Sequence, residues 1–130
     1  MAETRFSGDP ARLERAYTER LGPYTFGLIH RQVAGDQGYT IHVMGPVAGR
    51  EEEVLRFDCF ERMPHYHLGV SYRDDPIIPI ADERSLDWAV RQIRSSFSAL
   101  LEAAGADAAY SGEWSGELGG ILDRIVDRAA

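Results

Sequence analysis

The sequence predicts an α+β fold in which an antiparallel β-meander of four to five strands is covered on one face by a long helix. Two stretches carry this prediction. Residues 54–72, VLRFDCFERMPHYHLGVSY, have the pattern of two strands joined by a turn. Residues 84–104 carry apolar side chains at helical spacing over about twenty residues. Short helices at the N- and C-terminal ends complete the predicted architecture.

The central hairpin is predicted from a change of phase in residues 54–72. Apolar side chains lie first at odd and then at even positions: Leu55, Phe57 and Cys59, followed by Tyr66, Leu68, Val70 and Tyr72. A strand alternates its side chains between two faces, so one straight strand cannot bring both sets to one core. Pro64 has no N–H for a ladder and favours a turn. The chain is therefore expected to reverse within Glu61–Pro64, and Cys59 is expected to be a core residue.

This hairpin also predicts a polar cluster on the sheet face away from the core. A turn centred on Arg62 and Met63 would place Asp58 directly across from His67 and Phe60 beside His65. The face would carry five functional or aromatic side chains: Arg56, Asp58, Phe60, His65 and His67.

The N-terminal helix is predicted from Asp9-Pro10, which is typical of an N-cap followed by proline at the first helical position. The following ARLERAYTERL has helical spacing of its apolar residues and ends at Gly22-Pro23.

A second hairpin is predicted over residues 24–45, where the β-rich segments TFGLIHRQVA and YTIHVMG flank GDQG. Its register stays open. A turn at residues 36–37 would pair His30 with Val43, and a slip of one residue would exchange the partners. No chemistry is assigned to His30 or His42 for this reason.

The remaining elements follow from shorter signals. A turn is expected within Pro46–Arg50, and the acidic run Glu51–Glu53 is expected to be solvated or to protect a sheet edge. Prolines confine residues 77–80 to an edge strand or packed loop. Gly105 is expected to end the long helix, and ADAAYSGEW favours one last short strand. The tail GELGGILDRIVDRAA has helical spacing and would close the core or form an oligomer contact.

Length, charge and cysteine content limit the classes of protein to which this sequence can belong. The 130 residues are expected to form a single domain, 1–130. A net charge of −7 argues against nucleic-acid binding. One cysteine excludes an intrachain disulfide, and no apolar run suggests a membrane span or signal peptide, so a cytoplasmic protein is expected. Arginine supplies all fourteen positive charges, which is typical of a GC-rich bacterial genome.

The candidate site is His65-Tyr66-His67 together with Asp58. Two histidines separated by one residue share a strand face, about 6.5 to 7 Å apart along the backbone. With a carboxylate they form a set that binds Fe(II) or catalytic zinc, so a divalent metal is the expected cofactor. Arg56 would anchor an anionic group. Two other interpretations stay open: a metal-free Asp–His acid–base pair, and ordinary strand residues.

The segments RFDCF and PHYH, residues 56–60 and 64–67, resemble a signature of small uncharacterised bacterial proteins. More loosely, an aspartate-bearing strand followed by a proline and paired histidines looks like the TumE-type toxins of toxin–antitoxin pairs. The first hypothesis is therefore a metal-binding or acid–base enzyme that acts on a small molecule through Asp58, His65, His67 and Arg56. The alternative is a non-catalytic partner-binding protein, one half of an operon-encoded pair or a homodimer.

Overall fold

A computed structural model describes residues 16–70, 77–107 and 110–130. In these ranges one antiparallel sheet of six strands follows chain order. The strands are β1 (Tyr17–Leu21), β2 (Tyr24–Val33), β3 (Asp36–Val47), β4 (Arg50–Phe60), β5 (His65–Leu68) and β6 (Ile78–Pro79). Helix α1 (Ser85–Ala104), a 3₁₀ turn (Gly112–Trp114) and helix α2 (Ser115–Ala129) follow. The predicted α+β meander is confirmed, with six strands instead of four to five.

The first strand corrects the predicted N-terminal helix. Tyr17–Leu21 pairs with β2, with Leu21 opposite Tyr24. The chain reverses through Gly22, which has a φ of 57° and lies against Trp114, where a Cβ would approach the indole to 2.5 Å. This tight turn brings the segment onto the sheet edge and overrides its helical spacing. The rest of the predicted helix, residues 9–15, lies outside the described residues.

The hairpin of β2 and β3 turns at Ala34 and Gly35, so both expected registers are wrong. Both turn residues have positive φ, 49° and 82°, as a two-residue hairpin turn with the twist of the strands requires. Val33 therefore pairs with Asp36, and His30 pairs with Tyr39 instead of Val43. The second turn lies at residues 48–49, inside the predicted range.

The central hairpin exists, but its register differs from the predicted one by two residues. Asp58 pairs with His65, not with His67. The turn is wider than expected because the carboxylate of Asp36, from the neighbouring hairpin, accepts backbone N–H groups of Arg62 and Met63 at 2.9 and 2.8 Å. A shift of two residues keeps every side chain on its predicted face.

A β-bulge in β4 corrects the expectation for the acidic run. Val43 pairs with Leu55 and Met44 pairs with Glu53, so Val54 is an extra residue in the ladder. The bulge puts Glu53 on the sheet face that carries His42 and Arg56, where its side chain is fully buried. The solvated role expected for residues 51–53 is therefore wrong for this residue.

The two α-helices close the core on one sheet face. The long predicted helix is confirmed as α1, and Gly105 ends it in the left-handed conformation with a φ of 78°. Phe97 packs on Tyr24 and Phe26, with ring centroids 5.3 and 5.5 Å apart. The apolar side of α2 is buried in the same core through Leu118, Ile121, Leu122 and Ile125.

Three smaller points complete the fold. The last predicted strand is wrong where the chain is described, because Gly112–Trp114 is a 3₁₀ turn capped by Ser111. Cys59 is buried, and this burial raises the pKa of its thiol to about 12. None of the described helices is long and apolar enough to cross a membrane.

Candidate functional site

The sheet face opposite the helices carries buried polar side chains in two adjacent rows of the ladder. In one row Thr40, Asp58 and His65 are successive cross-strand neighbours on β3, β4 and β5. In the next row His42, Arg56 and His67 hold the same positions. All but His65, which is half-buried, are buried. Buried polar groups on this scale require partners, and several of these side chains pair with one another across the rows.

Asp58, His65 and His67 form a compact cluster, called here the Asp58 centre. The Asp58 Oδ2 atom lies 3.1 Å from His65 Nε2 and 3.4 Å from His67 Nε2. One ligand atom from each residue lies within 4.8 Å of the other two. The structure therefore brings together the three residues that the sequence selected as metal ligands, and Arg56 lies beside them.

Arginine and threonine side chains also contact the Asp58 carboxylate. Thr40 Oγ1 donates to Oδ1 at 2.8 Å, Arg31 Nη1 donates to Oδ1 at 3.1 Å, and Arg56 Nε donates to Oδ2 at 3.1 Å. Burial alone would raise the pKa of this carboxyl. The hydrogen bond from His65, the contact with His67, the Arg56 charge and the Thr40 hydroxyl outweigh it and hold the pKa of Asp58 well below its ordinary value.

His65 is held through both ring nitrogens. Its Nδ1 lies 2.7 Å from the backbone carbonyl of Met63, which can only accept, so Nδ1 carries a proton. Its Nε2 faces Asp58. The hydrogen bond with Asp58 raises the pKa of His65, with a further contribution from the Met63 carbonyl, although partial burial opposes both. The metal-free ring is therefore stabilised as the imidazolium.

His67 shares its Nε2 atom between two neighbours. Arg56 Nη2 lies 3.0 Å from this nitrogen, closer than Asp58 does. A guanidinium only donates, so in this contact His67 Nε2 is the acceptor and its lone pair is engaged. A metal ion would use the same lone pair. Arg56 and a metal ion therefore compete for His67.

A second pair on the same face was missed by the sequence analysis. His42 Nδ1 lies 2.5 Å from Glu53 Oε2, and both side chains are fully buried. His42 Nε2 has no hydrogen-bond partner within residues 16–70, 77–107 and 110–130. The sequence held one indication of this pair, because strand alternation puts His42 and Thr40 on the same face of β3. Its partner Glu53 could not be predicted, since the register of the hairpin was open and the bulge at Val54 shifts the pairing of β4.

Comparison with known proteins matches this chain to one family, for which no activity is described. No curated protein and no solved structure matches the chain. These findings do not confirm the likeness to TumE-type toxins or the specific RFDCF and PHYH signature. Residues 20–116, which include the whole Asp58 centre and the His42–Glu53 pair, match a family described as a domain of unknown function. The chain therefore belongs to the family DUF7700, a domain of unknown function.

Proposed function

We propose that the Asp58 centre binds one divalent transition-metal ion through Asp58 Oδ2, His65 Nε2 and His67 Nε2. The observation that carries the proposal is the convergence of these atoms, with the carboxylate oxygen 3.1 and 3.4 Å from the two nitrogens. Two ligand atoms that each lie about 2.0 to 2.2 Å from one ion are roughly 3 to 3.5 Å from each other. The observed separations are in this range, so the three ligand side chains need little rearrangement.

The hydrogen bond of His65 supports the same assignment. Histidines that bind metals commonly donate the other ring N–H to a backbone carbonyl, which fixes the tautomer and the ring orientation. His65 Nδ1 donates in this way to Met63. Loss of the Nε2 proton would therefore leave a lone pair directed at Asp58 and at the proposed ion.

Arg56 is the main group that opposes metal binding, and its position also suggests the kind of ligand that the metal site would bind. Its guanidinium contacts both Asp58 and His67, so an entering metal must displace it. A displaced guanidinium beside the ion would provide a fixed positive charge for an anionic ligand, the role expected for Arg56 from the sequence.

Three protein ligands leave positions for water or substrate, which is the arrangement of catalytic and not of closed structural metal sites. The proposed function is therefore a metal-dependent site that acts on a small anionic molecule.

Metal titration of protein purified without a histidine tag tests the proposal. The metal-free protein should bind one equivalent of Zn(II) or Fe(II). His65→Gln should weaken binding by at least the ~10- to 100-fold that loss of an outer-shell partner costs. His30→Gln is the matched control, because His30 is exposed on the opposite sheet face. Equal binding by wild type and His65→Gln would contradict the assignment.

A metal-free anion or acid–base site is a second candidate, favoured by the contacts of Arg31 and Arg56 with Asp58. In that case the arginines stay in place and no metal is bound. Phosphate or a small carboxylate would then raise the midpoint of thermal unfolding in the absence of metal. Arg56→Gln would abolish that stabilisation.

The alternative of a partner-binding protein used the C-terminal helix and the acidic face for its contacts. The buried residues of α2, Leu118, Ile121, Leu122 and Ile125, pack in the core of their own chain, so the acidic face is the part of that alternative that remains. The metal site therefore remains the proposal that the contacts support best.

A further inference from the structure

We propose that His42, oriented by Glu53, is the proton-transfer residue of the Asp58 centre, accepting a proton from water or substrate held there. This inference rests on the proposed metal site and assigns its acid–base group. It starts from an atom that the contacts leave unexplained: His42 Nε2, in a fully buried side chain, has no hydrogen-bond partner among the described residues. A buried polar atom without a partner is costly, and such atoms commonly mark functional sites.

The contact with Glu53 gives His42 the form of an activated base. A carboxylate at Nδ1 orients the imidazole, holds its tautomer and stabilises the imidazolium that forms when Nε2 accepts a proton. Both side chains are fully buried, so bulk water does not compete for the contact between Nδ1 and Glu53 Oε2. An exposed ion pair, which water screens, would fix the orientation and tautomer of the His42 ring less well.

The ladder places the pair next to the Asp58 centre. His42 is directly opposite Arg56, and Asp58 is the diagonal neighbour, at a typical distance of about 7 to 8 Å for such positions. His42 is not among the residues whose ligand atoms converge within 4.8 Å of one another, so we assign it to a water or substrate group at the centre and not to the ion itself. The charged groups beside His42 on neighbouring strands are Glu53 and Arg56, while β2 places Gly27 opposite it.

Cobalt(II) provides a test that does not require a known substrate. Its visible spectrum reports the ligands of the ion, including loss of a proton from bound water. Wild-type protein loaded with Co(II) should show a spectral transition with pH. In His42→Gln the midpoint should rise by about one pH unit or more, a tenfold change in the proton equilibrium. Affinity for Co(II) should stay within about threefold, because His42 is not a ligand.

Two further variants guard against a folding defect. His42→Gln removes the imidazole that Glu53 contacts, so the double variant His42→Gln, Glu53→Gln replaces both members of the pair and should show the same midpoint. The control His30→Gln should leave the transition in place.

The outcomes separate the two proposals. If wild type binds Co(II) and the transition is unchanged in both His42 variants, the pair is structural and this inference is wrong, while the metal site stands. If wild type binds no Co(II), the metal site and the inference both fail.

Discussion

Asp58 and His65 face each other across the β4–β5 ladder, with the carboxylate Oδ2 3.1 Å from the imidazole Nε2. Each group alters the proton affinity of the other. The hydrogen bond raises the pKa of His65 and helps to lower the pKa of Asp58. A metal ion placed between them would replace the His65 proton, so metal binding should strengthen as pH rises through the raised pKa of His65.

The coupling can be measured by NMR titration of His65. In Asp58→Asn the pKa of His65 should fall, because the negative charge and the acceptor that stabilise the imidazolium are lost. Asp82→Asn is a matched control, since Asp82 pairs with Arg91 on the surface and away from the centre. An unchanged His65 titration in Asp58→Asn would show that the two residues do not interact.

The Asp58 carboxylate should also stabilise the fold in a pH-dependent way. Because its pKa is lowered on folding, its contribution is complete above the unfolded value, near 3.8, and is lost as pH falls below it. Urea unfolding near pH 6 should show Asp58→Asn to be destabilised by about 3 kcal/mol, since its buried cationic partners remain. The difference from wild type should shrink toward pH 2.5. A constant difference over that range would exclude this linkage.

Arg56 should oppose metal binding. Arg56→Gln removes a positive charge and the competitor for His67 Nε2, so the Kd for Zn(II) should fall by about tenfold, equivalent to ~1.4 kcal/mol. Arg50→Gln on the same strand is the control, because its side chain is exposed and pairs only loosely with Glu52 at 3.7 Å. Isothermal titration calorimetry gives both values. Weaker binding by Arg56→Gln would mean that Arg56 supports the site.

The packing of α1 on the sheet has its own test in Phe97. This side chain is 2% exposed and contacts Tyr24, Phe26 and Tyr110. Phe97→Ala should reduce the free energy of unfolding by about 3 to 5 kcal/mol. The exposed neighbour Ser98→Ala should change it by less than about 0.5 kcal/mol. A loss below about 1 kcal/mol for Phe97→Ala would contradict the assigned core.

The sequence was sufficient to predict which side chains share a face of the sheet, but not which residues pair across neighbouring strands. The change of phase between Cys59 and Tyr66 requires a reversal whatever the turn, so the central hairpin and its polar face could be predicted. The partner of Asp58 could not, because Asp36 from another hairpin sets the width of that turn. A long-range contact of this kind leaves no local pattern.

The His42–Glu53 pair shows a second limit. The bulge at Val54 changes which acidic residue lies on the sheet face of Arg56 and Asp58, and nothing in the run of three glutamates distinguishes Glu53 beforehand. The strand at Tyr17–Leu21 was missed for a related reason, since its helical spacing was overridden by pairing across Gly22. In each case tertiary contacts decided between locally acceptable structures.

The position of a bound metal is the most direct test of the central claim. Crystals of the untagged protein grown with Zn(II) should give an anomalous peak at the zinc edge, about 2.0 to 2.2 Å from Asp58 Oδ2, His65 Nε2 and His67 Nε2. Arg56 should have moved away from His67. A peak at any other site, or none at the Asp58 centre with Arg56 still bound to His67, would contradict the account.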